Sequence, residues 1–238
     1  MNAISNLAHS KQYHTLLMDA DDTLFDFEKA EMHALQTTLH QFHLPYHDEI
    51  RIFYREQNEA LWRRLEAGEI TKEELQQTRF LPLLQRFHSD LDAKKVNQHY
   101  LEALADSAFL LPDALAVCQQ LSQRYRLVLA TNGFSFVQRR RLERSPLKPY
   151  FSEVFVSEEI GFQKPQKEYY EYILRHLAIS DRKGILIVGD SLTSDMQGGI
   201  RMGIDTCWFN RKKMQTELPC TYEIHELTEL LSLLISSY

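Results

Sequence analysis

"HTLLMDADDTLFD" (residues 14–26) runs from an apolar stretch straight into acid: Asp19, Asp21, Asp22 and Asp26 fall within eight positions. The apolar part is short and aliphatic with no polar alternation, the pattern of a strand buried on both faces, as in a parallel sheet. Two more stretches have the same form, "RLVLATNG" (126–133) and "GILIVGDS" (184–191), and "EVFVS" (153–157) and "IDTCWF" (204–209) are weaker versions of it. Helical patterns separate most of them: "PDALAVCQQLSQRY" (112–125), "SFVQRRRLERS" (135–145), "QKEYYEYILRHLA" (166–178) and "TSDMQGGIRM" (193–202), with Gly203 where a helix-ending glycine belongs and "ELTELLSLLIS" (226–236) last. Alternating strand and helix predicts a doubly wound α/β core with a parallel sheet.

Between Phe25 and about Leu110 the texture changes. "HALQTTLHQF", "RIFYREQNEALWRRLEAGEI", "TKEELQQTRFLPLLQRF" and "LDAKKVNQHYLEALADSAF" have apolar spacings of three and four, and "TKEE" (71–74) has the form of a capping box. Residues 26–110 therefore read as an all-helical insert, too large for a loop, in a core made of 1–25 and 111–238.

The chain has 238 residues, 44% of them hydrophobic and 25% charged, which is ordinary for a soluble globular protein. Its net charge of -6 argues against a nucleic-acid or acidic-membrane binder but leaves room for a small anion held by a local cluster. Three widely spaced cysteines (Cys118, Cys207 and Cys220) without a CxxC pair predict free thiols in a reducing compartment. The first 22 residues show no signal-peptide pattern, and no segment approaches the roughly 18 apolar residues of a membrane span. The cytoplasm is the expected location.

In an open parallel sheet, ligands bind beyond the carboxyl ends of the strands. The three strong strands deliver Asp19 and Asp21, then Thr131 and Asn132, then Asp190 to that edge. Carboxylates this close do not all ionise cheaply without a cation, and Asp195 adds to the problem. An all-oxygen set suits a hard divalent ion, Mg²⁺ first. Thr131 and Asn132 precede a helix whose N-terminus offers free N–H groups to an anion. Lys164, in "GFQKPQ" (161–166), supplies a second positive charge. Metal, carboxylates and an anion site together point to phosphoryl chemistry.

"DADDTL" (19–24), Thr131 in "VLATNG", Lys164 in "KP" and "GDSLTSD" (189–195) resemble, in order, the four motifs of the haloacid dehalogenase-like hydrolases, with the helical insert at that family's cap position. The resemblance implies a Rossmann-like core with an inserted α-helical cap. Asp19 would attack phosphorus and form an aspartyl phosphate, and Asp21 would act as acid and then base. Thr131 would hydrogen-bond the transferring group, with Asn132 beside it, and Lys164 would neutralise charge. Mg²⁺ would be held by Asp19, Asp190 and the backbone carbonyl of Asp21, with Asp195 completing or supporting the shell. Longer stretches, including "NEALWRRLEAGEIT", "TNGFSFVQRRRLERS" and "SEEIGFQKP", resemble the house-cleaning pyrimidine 5'-nucleotidases of that superfamily. These imply a pyrimidine nucleoside 5'-monophosphate substrate; the chain is expected to be a monomer or homodimer, which the sequence does not decide between. A sugar-phosphate phosphatase, such as one for an acylneuraminate 9-phosphate, is the alternative; a 2-haloacid dehalogenase and a silent phosphate binder fit less well, because every catalytic group is present. Asp22 stands where many members have glycine.

Other features read blandly. His40, His43 and His47 are surface residues rather than a zinc site, because Pro45 breaks the helix that would align them. The "RRRLER" run (139–144) reads as a solvated helix face. Trp62, Arg79 and Asn58 of the insert are candidates for contact with a base, with core packing the favoured role for Trp62.

Overall fold

A computed structural model describes residues 13–235; the stretch before Tyr13, including most of the N-terminal extension, and residues 236–238 at the end of the expected core lie outside it. In chain order the elements are β1 (Thr15–Met18), α1 (Phe27–Gln41), α2 (Asp48–Glu66), α3 (Lys72–Thr78), α4 (Leu81–Arg86), α5 (Ala93–Ala105), α6 (Ala114–Leu121), β2 (Arg126–Thr131), α7 (Ser135–Arg144), β3 (Phe151–Val156), α8 (Ser157–Ile160), α9 (Lys167–His176), β4 (Ile185–Gly189), α10 (Gln197–Met202), β5 (Asp205–Phe209), β6 (Tyr222–Ile224) and α11 (Glu229–Ile235).

The strands form one sheet of order β3-β2-β1-β4-β5-β6, parallel at every pairing. β1 lies between β2 and β4, with Met18 opposite both Leu129 and Val188. Every residue of β1 and β4 is buried, so both sheet faces are covered, which is why these runs show no alternation. Leu17, Val128, Ala130 and Ile187 point one way, into a cluster with Tyr169, Tyr170, Ile173 and Trp208. Gly203 ends α10 at φ 64°, a backbone conformation glycine adopts without strain. β6 was not legible in the sequence, because three residues carry too little pattern to distinguish a strand from a loop.

Packing divides the chain into two compact units. The first holds the sheet: residues up to Leu24, Leu110–Asn132 and Leu147 onward. The second is helical and consists of Phe25–Phe109 together with Gly133–Pro146. The sequence expectation puts α7 in the core; instead Phe134 and Val137 are buried in the cluster of the helical unit, with Leu35, Tyr54, Phe80, Val96 and Tyr100. The "RRRLER" run also departs from a solvated face. Arg141 is fully buried, donating from Nε to the Ser107 carbonyl oxygen at 3.2 Å and lying over the Phe25 ring, while Arg140 pairs with Asp106 at 2.6 Å. In the same unit the capping box forms at Thr71 and Glu74. The long "TKEELQQTRFLPLLQRF" pattern breaks into α3 and α4, with Pro82 in the first turn of the second. His43 takes a left-handed conformation (φ 55°) just beyond α1, so His40, His43 and His47 share no helix face. No helix among the described residues is long and apolar enough to cross a membrane, and the three cysteines are free.

Candidate active site

Asp19 follows β1 directly, its backbone N–H donating to the Val188 carbonyl oxygen at 2.9 Å across the sheet, and its side chain is buried. Asp190 follows β4. Because β1 and β4 are neighbours, the two carboxylates arrive together although 171 positions separate them. Asp195 joins them through a widened turn: the N–H groups of both Asp195 and Met196 donate to the Ser191 carbonyl oxygen at 3.1 Å, giving a π-helical stretch over Leu192–Met196 where the sequence predicts an ordinary helix. Carboxylate oxygens of Asp19, Asp190 and Asp195 all lie within 4.8 Å of one another.

Lys164 enters this acidic cluster from the loop between α8 and α9. Its ammonium donates to Asp19 Oδ1 (2.5 Å), Asp195 Oδ1 (2.7 Å) and the Ala130 carbonyl oxygen (2.9 Å), using all three of its protons. The lysine is held in place by Asn132. That carboxamide donates to the Lys164 carbonyl oxygen and accepts from the Lys164 N–H, both at 2.9 Å, as a facing strand would. Nδ2 carries a second proton beyond the one given to Lys164. Thr131 ends β2 and is buried; Asp21 is half-buried and its carboxylate lies outside the set of three.

Burial pushes the Asp19 carboxyl up to about 7; the Lys164 ammonium pulls it down and Asp195 pushes it up further. Burial, then the charges of Asp19 and Asp195, also hold Asp190 well above the ordinary carboxylate range. Burial works against the Lys164 ammonium, but Asp19 and Asp195 outweigh it and its pKa stands well above the usual lysine value. One ammonium therefore does not balance three carboxylates, and the remaining negative charge and hard oxygen donors match a divalent cation.

Several supporting residues went unread in the sequence. Trp208 on β5 donates its indole N–H to the Asp190 carbonyl oxygen at 2.9 Å, and the Thr23 hydroxyl donates to Asp19 Oδ2 at 3.4 Å. Ser191 steadies the turn, its N–H donating to Asp195 Oδ2 at 3.3 Å and its hydroxyl accepting from the Ser194 N–H. Gly189 carried a signal that went unused: a Cβ there would sit 2.3 Å from Asp195 Oδ2. Gly189→Ala is expected to push Asp195 off Lys164 and lower kcat by about 10²-fold or more, as misplacement of about 1 Å does. Steady-state kinetics on the folded variant would check this.

Comparison with known proteins agrees with the geometry. Residues 13–203 match the haloacid dehalogenase-like hydrolase family. The HAD-hydrolase YfnB of Bacillus subtilis is 39% identical over 94% of this chain and 96% of its own. Its magnesium-bound crystal structure superposes with a TM-score of 0.88, covering 94% of this chain and 99% of that one. The pyrimidine 5'-nucleotidases PynA of Streptococcus pneumoniae and YjjG of Escherichia coli are 39% and 33% identical, over 93% and 92% of this chain and 95% and 96% of theirs. Strand order, acidic cluster and these likenesses agree, and the chain belongs to the haloacid dehalogenase-like hydrolases.

Proposed function

We propose that the chain is a cytoplasmic, Mg²⁺-dependent phosphomonoesterase that hydrolyses nucleoside 5'-monophosphates, pyrimidines first, through an aspartyl phosphate. The observation that carries the reading is the Lys164 ammonium bridging Asp19 and Asp195, with the Asp190 carboxylate in the same cluster. The names of PynA and YjjG support the nucleotide.

Asp19, Asp190 and Asp195, with the Asp21 carbonyl, would hold the cation, which when bound offsets the charge of the carboxylates and the phosphoryl oxygens. The chain's own groups account for the rest. An Asp19 oxygen attacks phosphorus as the ester P–O bond breaks, and Asp21 gives its proton to the departing oxygen. Asp21, now a carboxylate, takes a proton from water; the water oxygen attacks phosphorus, the Asp19–phosphorus bond breaks and inorganic phosphate leaves. Lys164 and Thr131 meet the charge spread over the transferring group, and such positioning and electrostatics account for most of phosphoryl-transfer catalysis. One residue serves as acid and then base because the covalent intermediate separates the two halves.

A phosphate-release screen over nucleotides and sugar phosphates, with and without Mg²⁺, tests the reading. Metal-dependent release that is greatest on pyrimidine nucleotides is the expected result; sugar phosphates outperforming every nucleotide would overturn the substrate. Asp21→Asn should hurt most where the leaving oxygen is basic. The expected loss is at least tenfold larger on a nucleotide than on an activated aryl phosphate, whose phenolate departs without a proton.

A further inference from the structure

Gly189 and Trp208 are the last register pair between β4 and β5. Trp208 is 1% exposed, and its indole gives its N–H to the Asp190 carbonyl oxygen at 2.9 Å, one residue past that pair. The same peptide unit is gripped at its other end. The Ser191 N–H, which shares a plane with the Asp190 carbonyl, donates to Asp195 Oδ2 at 3.3 Å. Asp195 Oδ1 in turn accepts from the Lys164 ammonium at 2.7 Å. A chain of bonds therefore runs from a β5 side chain, through one rigid peptide, into the cluster of Asp19, Asp190 and Asp195.

A buried indole usually finds an acceptor, so the bond by itself would be ordinary. Its place gives it consequence. A trans peptide directs its C=O and N–H to opposite sides, so fixing the oxygen fixes where the N–H points. Turning that plane would swing the Ser191 N–H off Asp195 and alter the backbone from which the Asp190 side chain departs. The surroundings hold the indole in the same setting. Trp208 shares its hydrophobic cluster with Met196, and Leu192 packs against that cluster, so both ends of the widened turn rest on it. Gly189, the register partner of Trp208, puts no side chain in the way; a Cβ there would meet Asp195 Oδ2.

We propose that Trp208 is a positioning residue for the Mg²⁺ site: its indole N–H pins the 190–191 peptide and, through it, sets both Asp190 and Asp195. This rests on the Mg²⁺ reading above, and one experiment separates the two. Full-length wild type, Trp208→Phe and a variant carrying 3-benzothienylalanine at position 208 are compared. The benzothienyl group keeps the indole's shape but replaces the N–H with sulfur. Mg²⁺ is titrated into each metal-free protein by calorimetry, and melting curves in chelator establish that the protein is folded at the titration temperature. Both variants are expected to raise the Mg²⁺ Kd at least tenfold, the usual effect of removing a hydrogen bond that orients a metal ligand. A role in packing alone would leave the Kd of the isosteric variant where it was, so a Kd within threefold of wild type in that variant overturns the assignment, even if Trp208→Phe binds weakly. Where Trp208→Phe does not fold, the isosteric variant decides. Wild type that takes up no Mg²⁺ overturns the metal reading, and this proposal with it.

Discussion

Asp19→Asn should leave a folded protein with essentially no turnover. Asparagine has the shape of aspartate: its one carbonyl oxygen still accepts from the Lys164 ammonium, and its Nδ2 meets the Thr23 hydroxyl as a donor, so the stability of the strand end changes little. It does not supply the anionic oxygen that attacks phosphorus. The expected fall in kcat is on the order of 10⁴-fold or more, about 5.5 kcal/mol of barrier, in line with the removal of other covalent nucleophiles. The measurement is single-turnover phosphate release by enzyme in excess, together with a denaturation curve. Activity within tenfold of wild type would remove Asp19 from the nucleophile's role; a collapsed melting curve would turn the result into one about folding.

Lys164→Met should damage both catalysis and stability, with opposite sensitivities to the metal. Removing the ammonium leaves Asp19 and Asp195 buried without their shared cation, and breaking a buried pair this way costs about 3–5 kcal/mol. Loss of a charge-stabilising donor should cut kcat by about 10³-fold. Stability should depend on pH with a defined sign. In the metal-free wild type, the Asp19 carboxyl is pushed up to about 7 from its ordinary 3.8. Between those values the native state holds more protons than the unfolded one, so stability is fully present below about pH 4 and declines as pH rises to about 7. Without Lys164 the upper edge of that window moves higher, and the variant's deficit widens toward alkaline pH. Saturating Mg²⁺ should recover much of the melting temperature, because a ligand of the native state stabilises by mass action, but not the rate. Melting curves from pH 4 to 9 with and without Mg²⁺ would show this. A deficit independent of both pH and metal would mean that Lys164 acts only through packing.

The central strands were legible because residues such as Leu16 and Leu17, or Ile187 and Val188, face opposite sides of the sheet and are all buried. Such a run has no competing reading at that length. The convergence of Asp19 and Asp190 follows from the adjacency of β1 and β4, whereas Lys164, on the loop beyond α8, is expected there from its setting in "GFQKPQ" and the family resemblance. What escaped the sequence is whatever depends on a distant partner. Asn132 reads in the sequence as a helix-capping or anion-binding residue, and nothing local announces that its carboxamide also pairs with the Lys164 backbone. Arg141 looks like one of a solvated row until the Ser107 carbonyl oxygen is found beside it. The widened turn at Leu192–Met196 and the break between α3 and α4 are local, but their periodicity is close to that of a continuous helix, and only hydrogen-bond geometry tells them apart.

The chain passes between its two compact units four times, at 24/25, 109/110, 132/133 and 146/147, so the helical unit is drawn from two separate stretches of sequence. Trimming the gene at the obvious insert therefore would not yield a clean minimal enzyme. Excising residues 26–110 would strand α7 with Phe134 and Val137 stripped of the neighbours that bury them and Arg141 deprived of its carbonyl. Grafting a foreign cap onto this scaffold, or moving this one elsewhere, has to carry residues 133–146 as cargo or redesign the exposed face of that helix.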